Sequence, residues 1–370
     1  LDTTYGKITS FLETLVISVI GGILFSQLHI PLAWLLGPMT TVMVWKMVTN
    51  RVLFWPLSFR NIGLMGLGYL LGVSFTRETL VQVASHLPTM LVATVLVILF
   101  SFLMGYILTR TCKISLMTGM IGSVPGGLSQ MVMLGEELRG VDSTVVTFMQ
   151  TLRLLSVIFL VPFLVGHGLD ADLGSTVPLS ESNQVTGMNF WVVLTFILAV
   201  VIGVWIGKKI SLPTAPLLGP LLATSVLVLV GVPAPELPEP ALLLSQVLVG
   251  AHMGIGMNTG SLSNWKTLAP FSIAASVAVV FFTLGIASVL VYWHPMSLVN
   301  AFLCTSPGGV AEMGVTAKEV KVDLSIVTAY QLFRMFFILF LIPPLIKWWA
   351  NRISVAQVLE GVPKVGKTDF

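Results

Sequence analysis

Apolar residues run along this chain in long blocks rather than in amphipathic stripes. Nearly uncharged stretches at 87–109, 189–207 and 270–293 reach the about 20 residues with which a helix crosses a hydrocarbon layer of about 30 Å. Shorter blocks, bounded by polar residues or by Pro and Gly, divide the first half into segments at 10–28, 31–49, 60–76, 87–109, 115–138 and 143–167. Each predicts a helix. The earliest block, 11–28, has no small-residue cleavage site and reads as a retained span rather than a signal peptide. Composition sharpens the picture: 55% of the residues are hydrophobic and 9% charged, against roughly 25% charged in a soluble domain. The expected fold is an all-α polytopic membrane protein, with the lipid bilayer as its first partner.

The pattern also repeats. Leu36-Gly37-Pro38 recurs as Leu218-Gly219-Pro220, and Pro125-Gly126-Gly127 as Pro307-Gly308-Gly309, both at an offset of 182. Asp142, Thr147, Gln150 and Arg153 recur as Asp323, Thr328, Gln331 and Arg334 at an offset of 181. A shared offset over this distance marks an internal duplication. It divides the chain into a first membrane repeat (1–170), an acidic external linker (171–188), a second membrane repeat (189–350) and a cytoplasmic tail (351–370).

A Pro-Gly-Gly inside an apolar segment breaks the helix, because Pro cannot continue it and Gly permits a tight turn. The stretch from Ser115 to Ser123 covers only roughly 13 Å of helix, about half the hydrocarbon thickness. Each Pro-Gly-Gly is therefore expected at the tip of a re-entrant hairpin that reaches the midplane and returns. Five spans plus one hairpin per half make the two repeats inverted. Positive charge discriminates this arrangement from twelve full spans. With hairpins, thirteen Lys and Arg lie inside and only Arg77, Lys318 and Lys321 outside; with twelve spans the split is nine to seven. Both termini then face the cytoplasm.

Irregular backbone at midplane depth is tolerated where protein buries it or a watery cavity borders it, so the hairpins are the candidate site. Arg153 and Arg334 fall near the bilayer centre, with Gln150 and Gln331 three residues earlier on the same helix face. A central arginine costs from about 2.5 kcal/mol upward without a partner. These residues either hold the hairpins through their carbonyls or help to bind an anion. The candidate substrate-binding set is Ser123, Pro125, Gly126, Gly127, Gln150 and Arg153 in the first half, and Thr305, Ser306, Pro307, Gly308, Gly309, Gln331 and Arg334 in the second, with Ser129 offering a further hydroxyl. Glu312, whose repeat partner is Gln130, either neutralises Arg334 or takes up a coupling proton or Na⁺. Glu13 and Lys46 are expected to pair, the Gly-Pro steps to mark close helix packing, and His252 to sit on a glycine packing surface.

Other chemistry is not indicated. Five scattered histidines and two cysteines offer no metal-ligand spacing, no cofactor motif is present, and no nucleophile-base set points to an enzyme. A net charge of +3 without a basic stripe argues against nucleic acid. Self-association into a homo-oligomer stays open.

Through "PLAWLLGPM", "GSVPGGLSQMVMLGEE", "FMQTLRLLSV" and "SPGGVAEM" followed by "YQLFRMFF", the chain resembles the AbrB family of bacterial integral membrane proteins, whose members carry a duplicated membrane domain. The resemblance implies the bacterial inner (cytoplasmic) membrane. Members are labelled regulators of gene expression or ammonia monooxygenases, and the second label would need a copper or iron site that the histidines do not suggest. Inverted repeats with midplane breaks favour a secondary transporter that moves a small anionic solute by alternating access. The alternative is a membrane-embedded sensor that affects gene expression indirectly.

Overall fold

A computed structural model describes residues 2–138, 140–167, 190–256 and 265–360. The linker expected over 171–188 and the end of the tail lie outside these residues. Fourteen helices and no strand make up the described chain: α1 (Asp2–Gln27), α2 (Ala33–Thr49), α3 (Leu57–Val73), α4 (Arg77–Cys112), α5 (Leu116–Ser123), α6 (Leu128–Glu137), α7 (Ser143–His167), α8 (Phe190–Lys209), α9 (Ala215–Val230), α10 (Glu239–Gly256), α11 (Trp265–Trp293), α12 (Leu298–Thr305), α13 (Val310–Glu319) and α14 (Leu324–Glu360). Six of them, α1, α4, α7, α8, α11 and α14, are long and apolar enough to cross a membrane, consistent with a polytopic membrane protein. Helices α2, α3, α9 and α10 have 17, 17, 16 and 18 residues, or roughly 24–27 Å of rise. The segment expected as a tail from 351 begins inside α14.

Local chemistry explains the boundaries. Thr76 and Thr79 form a capping box at the start of α4. Asp142 and Asp323 cap α7 and α14: Asp142 Oδ1 accepts the N–H of Thr144 (2.9 Å) and Val145 (3.1 Å), and Asp323 Oδ1 those of Ser325 (3.0 Å) and Ile326 (3.2 Å). Asn50 and Lys113 end α2 and α4 in the left-handed conformation. Arg51, just past that turn, folds back onto α1 and pairs with Glu13 at 3.1 Å. This replaces the pair expected between Glu13 and Lys46, whose ammonium instead donates to Ile255 O at 2.7 Å.

The helices sort into two bundles, each drawn from both halves of the chain. In one, α1 packs on α2, α8 on α9, α3 on α9 and α10 on α2. In the other, α4 packs on α5 and α14, α11 on α12 and α7, and the short helices pack on α7 and α14. Each of these contacts recurs at the matching place in the other half. The bundles meet along a narrower seam, in which α3 packs on α13 and α14. Polar links across it include Leu32 N–H to Glu319 Oε2 at 2.8 Å and Arg77 Nε to Leu229 O at 2.9 Å.

Glycines set the distances in the first bundle. A Cβ on Gly21 would lie 2.6 Å from Gly37 O, and one on Gly203 would lie 2.5 Å from Gly219 O. Across the halves, Gly68 abuts Leu217 O and Gly250 abuts Leu35 O, the same interlock 182 positions apart. Backbone thus rests on backbone, the small-residue packing available to helices in lipid. By contrast, a Cβ on Gly285 in α11 would meet nothing within 4 Å. Gly219→Ala is therefore expected to cost about 1–3 kcal/mol of stability by overpacking, whereas Gly285→Ala should be neutral or stabilise by up to about 1 kcal/mol. Thermal unfolding of both variants in detergent measures the difference.

Candidate functional site

The two Pro-Gly-Gly segments separate α5 from α6 and α12 from α13. Both breaks are built alike. The hydroxyls of Ser115 and Ser297 start α5 and α12 by accepting the N–H of Thr118 and Asn300, each at 3.2 Å. After Ser123 and Thr305 the chain becomes extended, with Val124 at φ −65°, Gly127 at φ −63° and Gly309 at φ −80°. The tip glycines are thus not left-handed, and their lack of a side chain serves close approach. A Cβ on Gly126 would lie 2.7 Å from Met131 Cε, and one on Gly308 would collide with Met313.

Ending a helix inside the protein strands its last carbonyls. Gln150 and Arg153 of α7 satisfy those of α5. Gln150 Nε2 donates to Ile121 O (2.8 Å) and Val124 O (3.0 Å), and Arg153 to Val124 O and, at 3.3 Å, to Gly126 O. The second half repeats the scheme. Gln331 Nε2 donates to Leu303 O (2.7 Å) and Ser306 O (3.1 Å), and Arg334 to Thr305 O (3.2 Å), Ser306 O (2.5 Å) and Gly308 O (2.8 Å). Both arginines are buried, at 8% and 5% exposure.

The copies then diverge. Arg334 also donates to Gln331 Oε1, so the amide oxygen of this pair is taken up. In the first half, Gln150 Oε1 and Arg153 Nε are buried with no hydrogen-bond partner among the described residues, and so are the hydroxyls of Ser123 and Ser272. Arg153, Ser123 and Ser272 line one cavity, together with Gly122, Met149 and Ser276. The matching cavity beside the second hairpin is lined by Ala93, Thr94, Val97, Cys304, Thr305, Tyr330 and Arg334. Shifted by the repeat offset, these are Ala275, Ser276, Val279, Gly122, Ser123, Met149 and Arg153, all of which line the first cavity. Here Thr305 Oγ1 is taken up by Thr283 O (3.0 Å) and Ala301 O (3.1 Å), and Ser306 Oγ by Phe302 O (2.6 Å). Both cavities therefore hold a cation, but the first has a hydroxyl without a partner at Ser123, where the second has the Thr305 hydroxyl spent on backbone. Ser272 and Ser276 escaped the sequence reading, since serine in an apolar span usually bonds to its own helix; only their matched spacing to the cavity residues of α4 could have drawn attention to them. The Ser129 side chain lies outside the described residues.

Glu312 is not where the sequence suggested. Among the described residues the ion pairs are Arg51–Glu13 and Lys347–Glu137, and none joins Glu312 to Arg334. Its carboxylate folds back against Gly309 and accepts its own backbone N–H, because α13 begins there and a helix N-terminus favours negative charge. The cation it interacts with is Arg60 of α3, across the seam. His252 of α10 also neighbours Arg60, and its Nδ1 is buried without a partner. At the first hairpin the neutral Gln130 holds the place against Gly127, so no acid offsets Arg153 there.

Arg→Lys keeps the charge and loses the planar fork. Arg334→Lys is expected to lose about 2–4 kcal/mol of stability, because several charge-assisted hydrogen bonds break at once. Arg153→Lys should lose roughly half as much. Melting curves of the two variants in the same detergent check the order, and equal losses would contradict it.

Comparison with known proteins identifies a family. Residues 34–350 match the family described as "Transition state regulatory protein AbrB". "Putative regulator AbrB" of Escherichia coli (strain K12) is 30% identical over 332 residues, covering 88% of this chain and 92% of that protein. "Uncharacterized protein YhjN" of Bacillus subtilis (strain 168) is 26% identical over 347 residues, covering 89% and 90%. The chain belongs to the AbrB family.

Proposed function

We propose that this protein is a secondary transporter of a small anionic solute, built from two inverted repeats that alternate access to a site between the hairpins. Ten helices span the membrane in this reading, and α5–α6 and α12–α13 enter from opposite sides. Packing supports the opposite entry. His86 near the start of α4 stacks on His294 just past α11, and Leu108 near the end of α4 clusters with Leu268 near the start of α11. The two helices therefore run antiparallel. The first hairpin follows the end of α4 and the second follows the end of α11, at opposite ends of the bundle. In this reading, to which the charge bias also lends support, the termini face the cytoplasm of a bacterial inner membrane.

One observation carries the alternating-access reading. In a duplicated framework, α13 on α3 has its counterpart in α6 on α10. The first pair is packed, with Gly314 against Leu71; no comparable packing joins α6 and α10 among the described residues. A transporter with two inverted repeats exchanges the conformations of its halves when it turns over, so one arm closed and its twin open is the asymmetry expected of a single state. Under the proposed topology the unpacked side faces the cytoplasm. Anion preference rests on Arg153, which no acid offsets and which borders a cavity with unused hydroxyls.

Shifting the Leu71–Gly314 contact by 182 residues names the contact of the opposite state, Met253 with Val132. In a background with Cys112 and Cys304 replaced by Ser, Val132→Cys/Met253→Cys should form a disulfide on oxidation and block uptake of carboxylates into proteoliposomes. No cross-link under any solute condition would defeat the proposal. Topology has its own check: a Cys at Lys318 should react with an impermeant reagent from outside the cell, and one at Lys209 should be protected.

The name of the Escherichia coli relative favours a second reading, a membrane sensor acting on gene expression. Deleting residues 356–370 separates the two. Loss of a regulatory response with no measurable flux for any solute would favour the sensor.

A further inference from the structure

His86 of α4 and His294, just past α11, stack face to face with ring centroids 3.8 Å apart and planes inclined by 23°. Three hydroxyl-mediated contacts close a ring around them. His86 Nδ1 is 3.1 Å from Tyr330 Oη, Tyr330 Oη is 2.9 Å from Thr89 Oγ1, and Thr89 Oγ1 is 3.2 Å from His294 Nε2. Thr89 gives its own proton to His86 O at 2.8 Å. Its oxygen can then only accept, from Tyr330 O–H or from His294 Nε2–H. When Tyr330 donates to Thr89, its oxygen is left to accept from His86 Nδ1–H; when His294 donates, Tyr330 can donate to His86 Nδ1 instead. The network thus has two proton arrangements with no atom displaced.

Access and connection are both present. His294 is only partly buried, whereas His86 and Tyr330 are 7% and 3% exposed. Tyr330 lines the second-hairpin cavity beside Cys304, Thr305 and Arg334. A path of hydrogen-bonding groups therefore leads from the surface to that cavity. The equivalent place beside the first hairpin has nothing like it: the positions matching His86, Thr89, His294 and Tyr330 are Leu268, Phe271, Cys112 and Met149, three of which sit in one apolar cluster. Packing at this end of the bundle does not itself require polar groups. A departure of four residues from an otherwise matched framework points to a use.

We propose that His86 and His294 form a proton-binding site that takes up one proton between them from the solvent at His294, and that the proton reaches the cavity of the second hairpin through Thr89, when its hydroxyl turns from His86 O to Tyr330 Oη, and then through Tyr330. The step forms one N–H bond on an imidazole and breaks one O–H bond of hydronium, which leaves as water. Two imidazolium rings stacked at this distance would repel strongly, so a second proton is excluded over the ordinary range. The groups that face the pair are Asp323, which caps α14, and Tyr330 of α14, with Cys304 of α12 beside Tyr330. On α4 itself, Arg77 is bound to Leu229 O and, with Glu78, lies two turns away. That the proton drives a solute rests on the transport reading. That the site binds one does not.

Proton uptake of the full-length protein in detergent, titrated from about pH 9 to about pH 5 where an ordinary histidine charges, tests it. Relative to the His86→Gln/His294→Gln double variant, the wild type should bind one proton more per chain, and so should the His294→Gln single variant, in which His86 remains. A wild type that binds two more protons than the double variant, or none, overturns the shared site. Tyr330→Phe should leave this stoichiometry unchanged and cut solute-coupled proton flux in proteoliposomes at least tenfold; unchanged flux would overturn the relay. Normal titration with no flux for any solute would strike the transport reading and leave the proton site standing.

Discussion

Every helix that stops inside an apolar protein leaves carbonyl groups that neither lipid nor side-chain hydrocarbon can satisfy. This chain stops two helices in that way, at Ser123 and Thr305, and meets the demand with a Gln and an Arg from the following long helix. The remaining features of the second bundle depend on that solution. An amide and a guanidinium three residues apart reach three or four backbone acceptors on one face, which places α7 beside the first hairpin and α14 beside the second. Buried charge is kept because the backbone, rather than a carboxylate, neutralises its hydrogen-bonding need. At Arg334 both terminal nitrogens are taken up by carbonyls and by the Gln331 amide oxygen. Where a nitrogen and an amide oxygen are left over, as at Arg153 and Gln150, the same scaffold has chemistry to spare.

Duplication makes such differences interpretable. Matched positions experience matched backbone geometry, shown by Gly68 and Gly250 resting on carbonyls 182 residues apart, so a change of residue type at one of them cannot be put down to a change of fold. Glu312 against Gln130 alters the charge at a helix N-terminus. Tyr330 against Met149 exchanges a hydroxyl for a thioether at the wall of a cavity. Both changes give the second hairpin a carboxylate and a phenol where the first has an amide and a thioether.

Much of this was legible before any coordinates. Local rules suffice for the helices, for the breaks at Pro125 and Pro307, for the Asp142 and Asp323 caps, and for the facing of Gln150 with Arg153, because each depends on residues within a turn or two of one another. What stayed hidden depends on distant contacts. Glu312 could not be matched to Arg60, nor His86 to His294, since α3 meets α13 and α4 meets the end of α11 only after both bundles assemble. Glu13 went to Arg51 rather than Lys46 because a single left-handed residue, Asn50, redirects the chain. The glycine tips were expected to supply a turn and instead supply room, a distinction of backbone angle that composition does not encode.

The interlock of α3 with α9, and of α10 with α2, bears on how the protein is made. The glycine grooves of α3 and α10 are filled only from the other half: Gly68 and Gly72 wait for Leu217 and Leu221, which are synthesised far later. During biosynthesis α3 must therefore wait without the helix it packs on, although α1 and α2 can already dock on each other. The hydrogen-bonded hairpin can form at once, from α5 and α7 alone, whereas the tight bundle around α3 closes only when α9 arrives. Assembly is therefore ordered by chain emergence, with the site element preformed and its supporting frame completed last.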